Sequence, residues 1–286
     1  MELELLRVAI AVLGTAAAAA FDVFNNRNVP NWLTYAFVGL GLAINLVFEP
    51  ALLASALLPS AIIFLFGWLL WQDGQIGGAD VLILAGLALL LPQAPTLFLE
   101  KPTLPSGMPF VVSIFVLSGI VFLVAFTLRS IPAVVRAVGR GEAKVSHAGL
   151  AYALALLLLV WFFVMAGFGL TQHYIVFLIV VMACAAFVLA FKETITDSLI
   201  ERVPLSSIEE EDILAIDRMD PDIVRRWRLR RLLTREELAK LKKTRLKEFP
   251  VLKRLPTFLP WVLIALLISL RYGDFLSLLT ALALGQ

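Results

Sequence analysis

Long apolar runs constrain the fold of this chain more than any other feature of its sequence. A helix needs about 20 mostly apolar residues to cross a bilayer. Eight stretches approach or meet that length: Leu5–Phe21, Trp32–Phe48, Ala51–Trp71, Asp80–Leu99, Met108–Leu128, Ala148–Leu170, Tyr174–Phe191 and Leu255–Leu270. The chain is also 60% hydrophobic and only 16% charged, whereas soluble domains are about half apolar and roughly a quarter charged. We therefore predict an all-α polytopic membrane protein with about eight transmembrane helices (six to eight).

The fourth run is irregular. Pro92 and Pro95 interrupt it, and proline removes a helical hydrogen bond. The uninterrupted part, Val81–Leu91, is too short to cross a bilayer alone. We expect this run to be kinked or partly re-entrant.

Basic residues in the loops predict the orientation, because Lys and Arg favour the cytoplasmic side. Arg27 follows the first run, and segment 192–254 holds most of the remaining positive charge. The loop after the fifth run adds Arg129, Arg136, Arg140 and Lys144. Eight alternating spans place all of these on the cytoplasmic side, with Lys101 as the exception. The same arrangement brings the loops after Asp22 and before Asp80 to that side.

Asp22 and Asp80 lie where a membrane protein tolerates charge least. Asp22 ends the first apolar run, and Asp80 opens the fourth. A carboxylate at the edge of the hydrocarbon is costly and indicates a functional site. Two carboxyl groups that meet can hydrolyse a peptide, because one activates water while the other donates a proton. Close carboxyl groups share one proton, since both do not easily ionise together. We predict a paired-carboxylate hydrolase.

Each aspartate also has an ordinary interpretation. A single Asp at the end of a span is usually a solvated cap, and Asp80 is a candidate N-cap for a helix over Val81–Leu91. Gly77 and Gly78 alone indicate a turn. If Asp80 is functional, the two glycines permit close backbone approach and positive φ beside it.

The loop after Asp22 supplies three further candidates for shaping the site. Pro30 fixes the backbone before the second run, and Asn31 is a candidate cap for that helix. Arg27 is expected to pair with lipid phosphate or with Asp22. The remaining acids of interest, Asp73 and Asp274, are interpreted as loop acids.

Metal and cofactor sites are not predicted. Cys184 is the single cysteine of the chain, which excludes a Cys-rich zinc site. His147 and His173 are isolated and lack the spacing of metal ligands. We expect no metal and no cofactor.

Three regions are predicted: a transmembrane catalytic domain over residues 1–191, a cytoplasmic segment over 192–254, and a last transmembrane helix with a tail over 255–286. Within the segment, Thr234 as N-cap and Glu237 three residues later predict a helix start. Its arginine cluster at 225–231 favours anionic lipid headgroups or plain solvation over nucleic acid.

The motifs around both aspartates resemble the type IV prepilin peptidases, in particular their archaeal preflagellin and prepilin peptidase branch. The similarity lies in Phe21-Asp22, in Arg27-Asn28-Val29-Pro30-Asn31-Trp32-Leu33-Thr34 and in Gly77-Gly78-Ala79-Asp80. That family has an Asp before a Val/Ile-Pro-Asn-x-Leu-Thr stretch and a second Asp in a Gly-x-Gly-Asp motif. Here Ala79 stands where the motif has its second glycine. Pro109-Phe110 resembles the family's Pro-Phe element.

The resemblance implies an intramembrane aspartic endopeptidase with Asp22 and Asp80 as the catalytic pair. It implies a multi-pass protein of the cell membrane whose active site faces the cytoplasm. The expected partners are precursors with class III, prepilin-like signal peptides, such as archaellin or pilin precursors, and membrane lipids. Bacterial members often carry paired Cys-x-x-Cys motifs and a methyltransferase activity, and one cysteine implies no N-methyltransferase here.

Three alternatives remain open on the sequence alone. A presenilin-like protease also uses Gly-x-Gly-Asp, but it requires a late Pro-Ala-Leu motif, and the late prolines here stand in Leu255-Pro256-Thr257 and Leu259-Pro260-Trp261. A proton-coupled transporter using the same aspartates requires more ionisable groups inside the spans, and Arg7 lies near the end of one. The third alternative is an inactive membrane scaffold. The specific precursors, the oligomeric state and the acid and base roles are not predicted.

Overall fold

A computed structural model of the protein describes residues 2–25, 27–97, 108–165, 171–244, 246–253, 255–275 and 278–279. The helices are α1 (Glu2–Phe24), α2 (Asn31–Phe48), α3 (Leu53–Gln72), α4 (Gly78–Leu90), α5 (Phe110–Gly139), α6 (His147–Met165), α7 (Gln172–Ala190), α8 (Lys192–Leu199), α9 (Pro221–Trp227), α10 (Arg235–Lys243) and α11 (Leu259–Tyr272). The strands are β1 (Ile200–Pro204) and β2 (Glu248–Leu252).

Each of the eight apolar runs coincides with a helix in the described residues. Five of those helices are long and apolar enough to cross a membrane by length and composition: α1, α2, α3 with the 3-10 turn before it, α5 and α7. Shorter apolar helices are α4, α11 and the part of α6 over His147–Phe162. Large apolar side chains remain exposed along α3, α6 and α7, as lipid contact requires. The structure is therefore that of a polytopic helical membrane protein.

The short helix α4 lies at the centre of the bundle. It packs against α2 and α3, and also contacts α1 and α5. Every side chain of 81–91 except Leu82 is buried. The helix ends at Leu90, two residues before Pro92, so the helical part of the fourth run is short as predicted. Residues 98–99 of that run lie outside the described residues.

A network of polar side chains explains how α4 can end inside the protein. The last carbonyls of a helix have no partner within it. Arg7 donates to the carbonyl of Leu90 (3.2 Å), and Asn45 Nδ2 donates to that of Leu89 (2.7 Å). Arg7 also donates to Asn45 Oδ1 (2.8 Å) and forms an ion pair with Glu49 (2.9 Å). Arg7 is only 5% exposed, so it is a buried charge that stabilises the negative end of α4.

Helix α11 packs between α1 and α5. Its inward side chains Leu259, Val262 and Leu266 are fully buried. The hydroxyl of Ser113, near the start of α5, donates to Asp274, just beyond the end of α11. Asp274 lies in a loop as expected, but it is buried rather than solvated.

The segment between α7 and α11 contains two strands that the sequence interpretation missed. Strands β1 and β2 pair antiparallel, with Val203 opposite Phe249. Leu214, Leu233 and Phe249 form the centre of a small apolar core in this segment. The expectation of an all-α protein is therefore wrong here. Short strands in a polar segment give a weak sequence signal, because their partners lie about 50 residues apart.

The predicted helix start in this segment is confirmed. Helix α10 begins at Arg235, and Thr234 is its N-cap, with the hydroxyl accepting from the backbone N–H of Glu237 (3.4 Å). The Glu237 carboxylate accepts instead from the N–H of Arg230 (3.2 Å) and from Lys240 (2.5 Å). Of the two hydrogen bonds of the predicted capping box, the structure shows the one that the Thr234 hydroxyl accepts.

Candidate active site

Asp22 lies in the last turn of α1, against the first turn of α11. Its side chain is buried, and Oδ2 accepts a hydrogen bond from the backbone N–H of Leu259 (3.3 Å). The backbone N–H of Phe258 also interacts with the carboxylate. The first N–H groups of a helix have no partner within it, and they give that end a partial positive charge. The start of α11 therefore favours negative charge on Asp22, while burial of the side chain opposes it.

Asp80 is the third residue of α4, and its carboxylate folds back over the start of that helix. Oδ2 accepts from the backbone N–H of Gly77 (3.2 Å), and Gly77 is the N-cap. The interpretation of Asp80 as the N-cap is therefore wrong. A carboxylate at this position stabilises the first turn, because it satisfies an amide that has no helical partner.

The two carboxyl groups lie close enough to interact. The side chain of Asp80 is partly buried. The negative charge of Asp22 interacts electrostatically with it. Helices α1 and α4 contact each other in the bundle. Two residues 58 positions apart in the chain therefore lie within range of each other's charge at one end of the bundle. Each is fixed by a backbone amide.

The two glycines before Asp80 allow neighbouring side chains to pack closely against the backbone, and neither has an unusual backbone conformation. Gly77 has a φ of −73° and Gly78 has no positive φ, so neither residue uses the positive φ that glycine permits. A Cβ on Gly77 would lie 2.9 Å from Asp80 Oδ2. A Cβ on Gly78 would lie 3.2 Å from the indole nitrogen of Trp71. In this loop the residue that does need a left-handed backbone is Gly74, with a φ of 68°.

Ala79 explains why the second glycine of the motif is dispensable here. It is a helical residue of α4 and is partly buried against the main core. A methyl group at this position has a place in the packing. Alanine also has a higher helix propensity than glycine.

We expect Gly77→Ala to impair the site without unfolding the protein. The added Cβ would push against Asp80 Oδ2, and a catalytic group displaced by about 1 Å can cost about 100-fold in rate. Gly39→Ala is the matched control, since a Cβ there meets nothing within 4 Å. The measurement is peptidase rate together with thermal stability in detergent. Equal rates for the two variants would contradict a tight fit around Asp80.

Arg27 approaches the pair from the loop between α1 and α2. It has a positive φ of 65° next to a turn in which Asn25 Nδ2 donates to the carbonyl of Asn28 (2.6 Å). Burial lowers the pKa of Arg27, the charge of Asp22 opposes that change, and the charge of Arg129 adds to it. The expected pairing with Asp22 thus takes the form of a charge interaction, and the described ion pairs do not include these two residues.

Pro30 and Asn31 form the start of α2, but not in the way the sequence indicated. Pro30 is the N-cap and has an extended backbone, and its carbonyl accepts from the N–H of Leu33 (3.0 Å). Asn31 is the first helical residue and is exposed. The expectation that Asn31 caps the helix is therefore wrong. Its carbonyl accepts from the hydroxyl of Thr34 (3.0 Å).

Pro109 and Phe110 lie at the other end of the bundle. Pro109 is the N-cap of α5, and Phe110 is 1% exposed in the main core. Ser113, three residues on, contacts the far end of α11 through Asp274. Helix α11 has 14 residues, which at 1.5 Å per residue makes it about 21 Å long. The structure therefore does not bring Pro109 and Phe110 to the aspartates.

Sequence reasoning missed the backbone amides at the start of α11. Pro260 in the first turn is a local signal for a helix start at this point. The contact with Asp22 spans 237 residues, and no local pattern in the sequence encodes it.

The arrangement suits acid–base chemistry on a peptide bond. Within the described residues, no group of three or more His, Cys, Asp or Glu side chains is placed to hold a metal ion. Two carboxyl groups that interact, each accepting from a backbone amide, can divide the roles of proton donor and proton acceptor between them if they come within reach of one substrate. Their titration belongs to the pair, so neither role is assigned to one residue.

Comparison with known proteins supports the resemblance that the motifs around the two aspartates indicate. Residues 9–128 match the type IV leader peptidase family. The chain is also 33% identical over 102 residues to a protein named prepilin peptidase EppA from Methanothermobacter thermautotrophicus. That alignment covers 34% of this chain and 26% of the relative, so the chain spans about a quarter of the length of that protein. No solved structure matches.

The matched region contains α1 to α4 and most of α5, with both aspartates and the loops that follow and precede them. The resemblance to the type IV prepilin peptidases is therefore confirmed: over residues 9–128 this chain carries the sequence pattern of the type IV leader peptidase family.

Proposed function

We propose that the protein is an intramembrane aspartic endopeptidase that removes the leader peptide from prepilin-like precursors. The observation that supports the proposal is that the charge of Asp22 acts on Asp80 at one end of the bundle. The family match over residues 9–128 supports a peptidase, and the relative named a prepilin peptidase supports this type of substrate.

The proposed reaction is a hydrolysis in which water attacks the scissile carbonyl carbon. One carboxylate takes a proton from the water, while the protonated partner donates to the carbonyl oxygen. The tetrahedral intermediate then breaks its C–N bond, and a proton passes to the leaving amine. The amides of Leu259 and Gly77 keep both carboxyl groups in place throughout.

The proposed substrate combines a short basic leader with an apolar helix. The apolar helix would lie in the bilayer beside the helices of the enzyme, with the scissile bond level with the aspartates. That part of the substrate must be extended, because helical hydrogen bonds cover the carbonyl. In the proposed topology eight spans, including the short α4 and α11, place both aspartates and segment 192–254 on the cytoplasmic side. Archaellin and pilin precursors are the proposed substrates.

We also propose that the protein cleaves without methylating its product. The prediction rests on Cys184 as the single cysteine, which leaves no paired Cys-x-x-Cys motif. It is checked by the mass of the mature product, which should lack an added methyl group when a methyl donor is present.

The direct test of the proposed function is cleavage of a purified prepilin-like precursor by the purified protein in lipid. We expect one cut at the junction of the basic leader and the apolar helix, identified by the product masses. Cleavage should resist both EDTA and a serine-protease inhibitor. Failure to cut any of several precursors, with the enzyme folded, would contradict the proposal.

One observation favours a proton-coupled transporter, which is the second candidate. The buried Arg7 forms an ion pair with the partly exposed Glu49, and Asp274 is buried just beyond the end of α11. A proton path would have to join this end to Asp22 and Asp80. Residues 8–21 of α1 and 81–90 of α4 contain no ionisable side chain, which leaves a gap of about 21 Å along α1 and about 15 Å along α4. Pairing of the aspartates at one end therefore fits hydrolysis better than proton relay.

A further inference from the structure

A second site lies where α5 leaves the apolar part of the bundle. The apolar run of α5 ends at Leu128, and the helix continues as far as Gly139. Beyond that point a cavity of about 810 Å³ opens between α5, α8 and the residues before α11. Its lining joins apolar side chains, among them Phe126 and Pro256, with several charged ones. The cavity thus lies where α5 passes from its apolar stretch to a charged one.

Positive charge dominates this cavity. Arg129, Arg136 and Arg140 line it from one side of α5, because residues 7 and 11 positions apart fall on the same face of a helix. Lys144 joins them from the loop after α5, and its backbone is fixed by Thr194, whose hydroxyl accepts from its N–H (2.8 Å) and donates to its carbonyl (2.9 Å).

The carboxylates of the cavity do not balance this charge. Glu142 and Asp197 are the acidic residues of the lining. Asp197 pairs with Lys144 (2.9 Å), and it also pairs with Arg218 (2.6 Å), which lies outside the lining. The Asp197 carboxylate is therefore shared between two cations, and only one of them lines the cavity. The arginines of α5 keep an excess of positive charge.

Arg129, Arg136 and Arg140 carry this excess without help from Arg27, which lies outside the lining. The charge of Arg129 acts on Arg27, but the opposite charges of Asp22 and Asp212 act on it as well. Guanidinium groups gathered in this way favour an anion between or beside them, and arginine binds phosphate in a fork geometry. Basic clusters immediately beyond a transmembrane helix attract anionic lipid headgroups.

We propose that this cavity binds the phosphate headgroup of an anionic phospholipid. The phosphate would contact Arg129, Arg136 and Arg140, while the acyl chains leave along the apolar surface of α5 beside Phe126. A soluble phosphate compound offers the same anionic group but lacks the acyl chains. The position of the cavity at the end of an apolar helix face favours the lipid.

The test measures retention of phosphatidylglycerol by the purified full-length chain in neutral detergent micelles, with phosphatidylcholine as the uncharged comparison. We expect phosphatidylglycerol to bind in preference, and R129Q/R136Q to weaken its binding about 25-fold, or about five-fold for each charge removed. K242Q/K243Q is the matched control, since it removes the same charge from exposed lysines outside both the cavity and the 225–231 cluster. Its binding should stay within about two-fold of the wild type. R129K/R136K keeps the charge and should retain most of the affinity.

Three results would overturn the proposal. The first is an equal loss in the two glutamine variants, which would indicate attraction by net charge alone. The second is unchanged binding in R129Q/R136Q, with circular dichroism showing both variants folded. The third is displacement of the lipid by inorganic phosphate at a comparable concentration, which would assign the cavity to a soluble anion. The outcome is independent of whether the protein cleaves precursors.

Discussion

We expect Asp22→Asn and Asp80→Asn each to reduce precursor cleavage by about 10³-fold or more. Hydrolysis by the pair needs one ionised and one protonated carboxyl group, and an amide can take neither role. The loss in each single variant should be nearly as large as in the double variant, because residues that act as a unit are not additive. The measurement is the cleavage rate of a purified precursor in lipid.

The control for these variants is Asp73→Asn, which makes the same chemical change at an exposed acid just after α3. It should keep wild-type activity. Both site variants should remain folded, since asparagine retains an oxygen that can accept from the N–H of Leu259 or of Gly77. Residual cleavage above one-tenth of the wild-type rate in either variant would show that the pair does not carry the reaction.

Arg7→Met is expected to produce the largest loss of stability. The substitution removes the donor to the carbonyl of Leu90 and to Asn45 Oδ1, and it leaves both acceptors buried. A buried polar group without its partner costs about 1–3 kcal/mol, and breaking a buried charge pair costs about 3–5 kcal/mol. We expect a loss of about 2–5 kcal/mol, because Glu49 is partly exposed and water can replace its partner.

The loss should be concentrated at α4. Hydrogen exchange should accelerate in its last turn, where Arg7 and Asn45 now satisfy the carbonyls of Leu90 and Leu89. Arg225→Met, at an exposed position, is the control and should change stability by less than about 0.5 kcal/mol. Unchanged exchange in α4 of the Arg7 variant would contradict a structural role for this charge. A fall in cleavage would follow, since α4 carries Asp80.

The long apolar runs predicted the helices well, because a hydrophobic stretch near 20 residues is a strong local signal. Proline predicted the early end of α4 for a similar reason: Pro92 stops a helix through its own geometry. The motif residues gave Asp22 and Asp80 as candidates before their positions were known. Local chemistry was sufficient for each of these features.

Contacts between distant parts of the chain were not predictable in this way. Arg7 stands near the end of an apolar run, where a solvated side chain is the ordinary expectation. Instead it is buried and donates hydrogen bonds to three partners. The amide of Leu259 that holds Asp22 comes from the other end of the chain. The strands β1 and β2 were missed because their pairing depends on a small core that forms only when the segment folds. Each of these depends on packing rather than on neighbours in sequence.

Hydrolysis by Asp22 and Asp80 requires that their two carboxyl groups lie side by side. The direct measurement replaces Cys184 by Ala, introduces Asp22→Cys with Asp80→Cys, and treats the protein in lipid with a short membrane-permeant thiol cross-linker. A pair of Asp22→Cys with Ser113→Cys, at the two ends of α11, is the control. We predict an internal cross-link between positions 22 and 80, detected by intact mass, and none between 22 and 113. Absence of the first cross-link, or equal yields for the two pairs, would contradict the proposed catalytic pair.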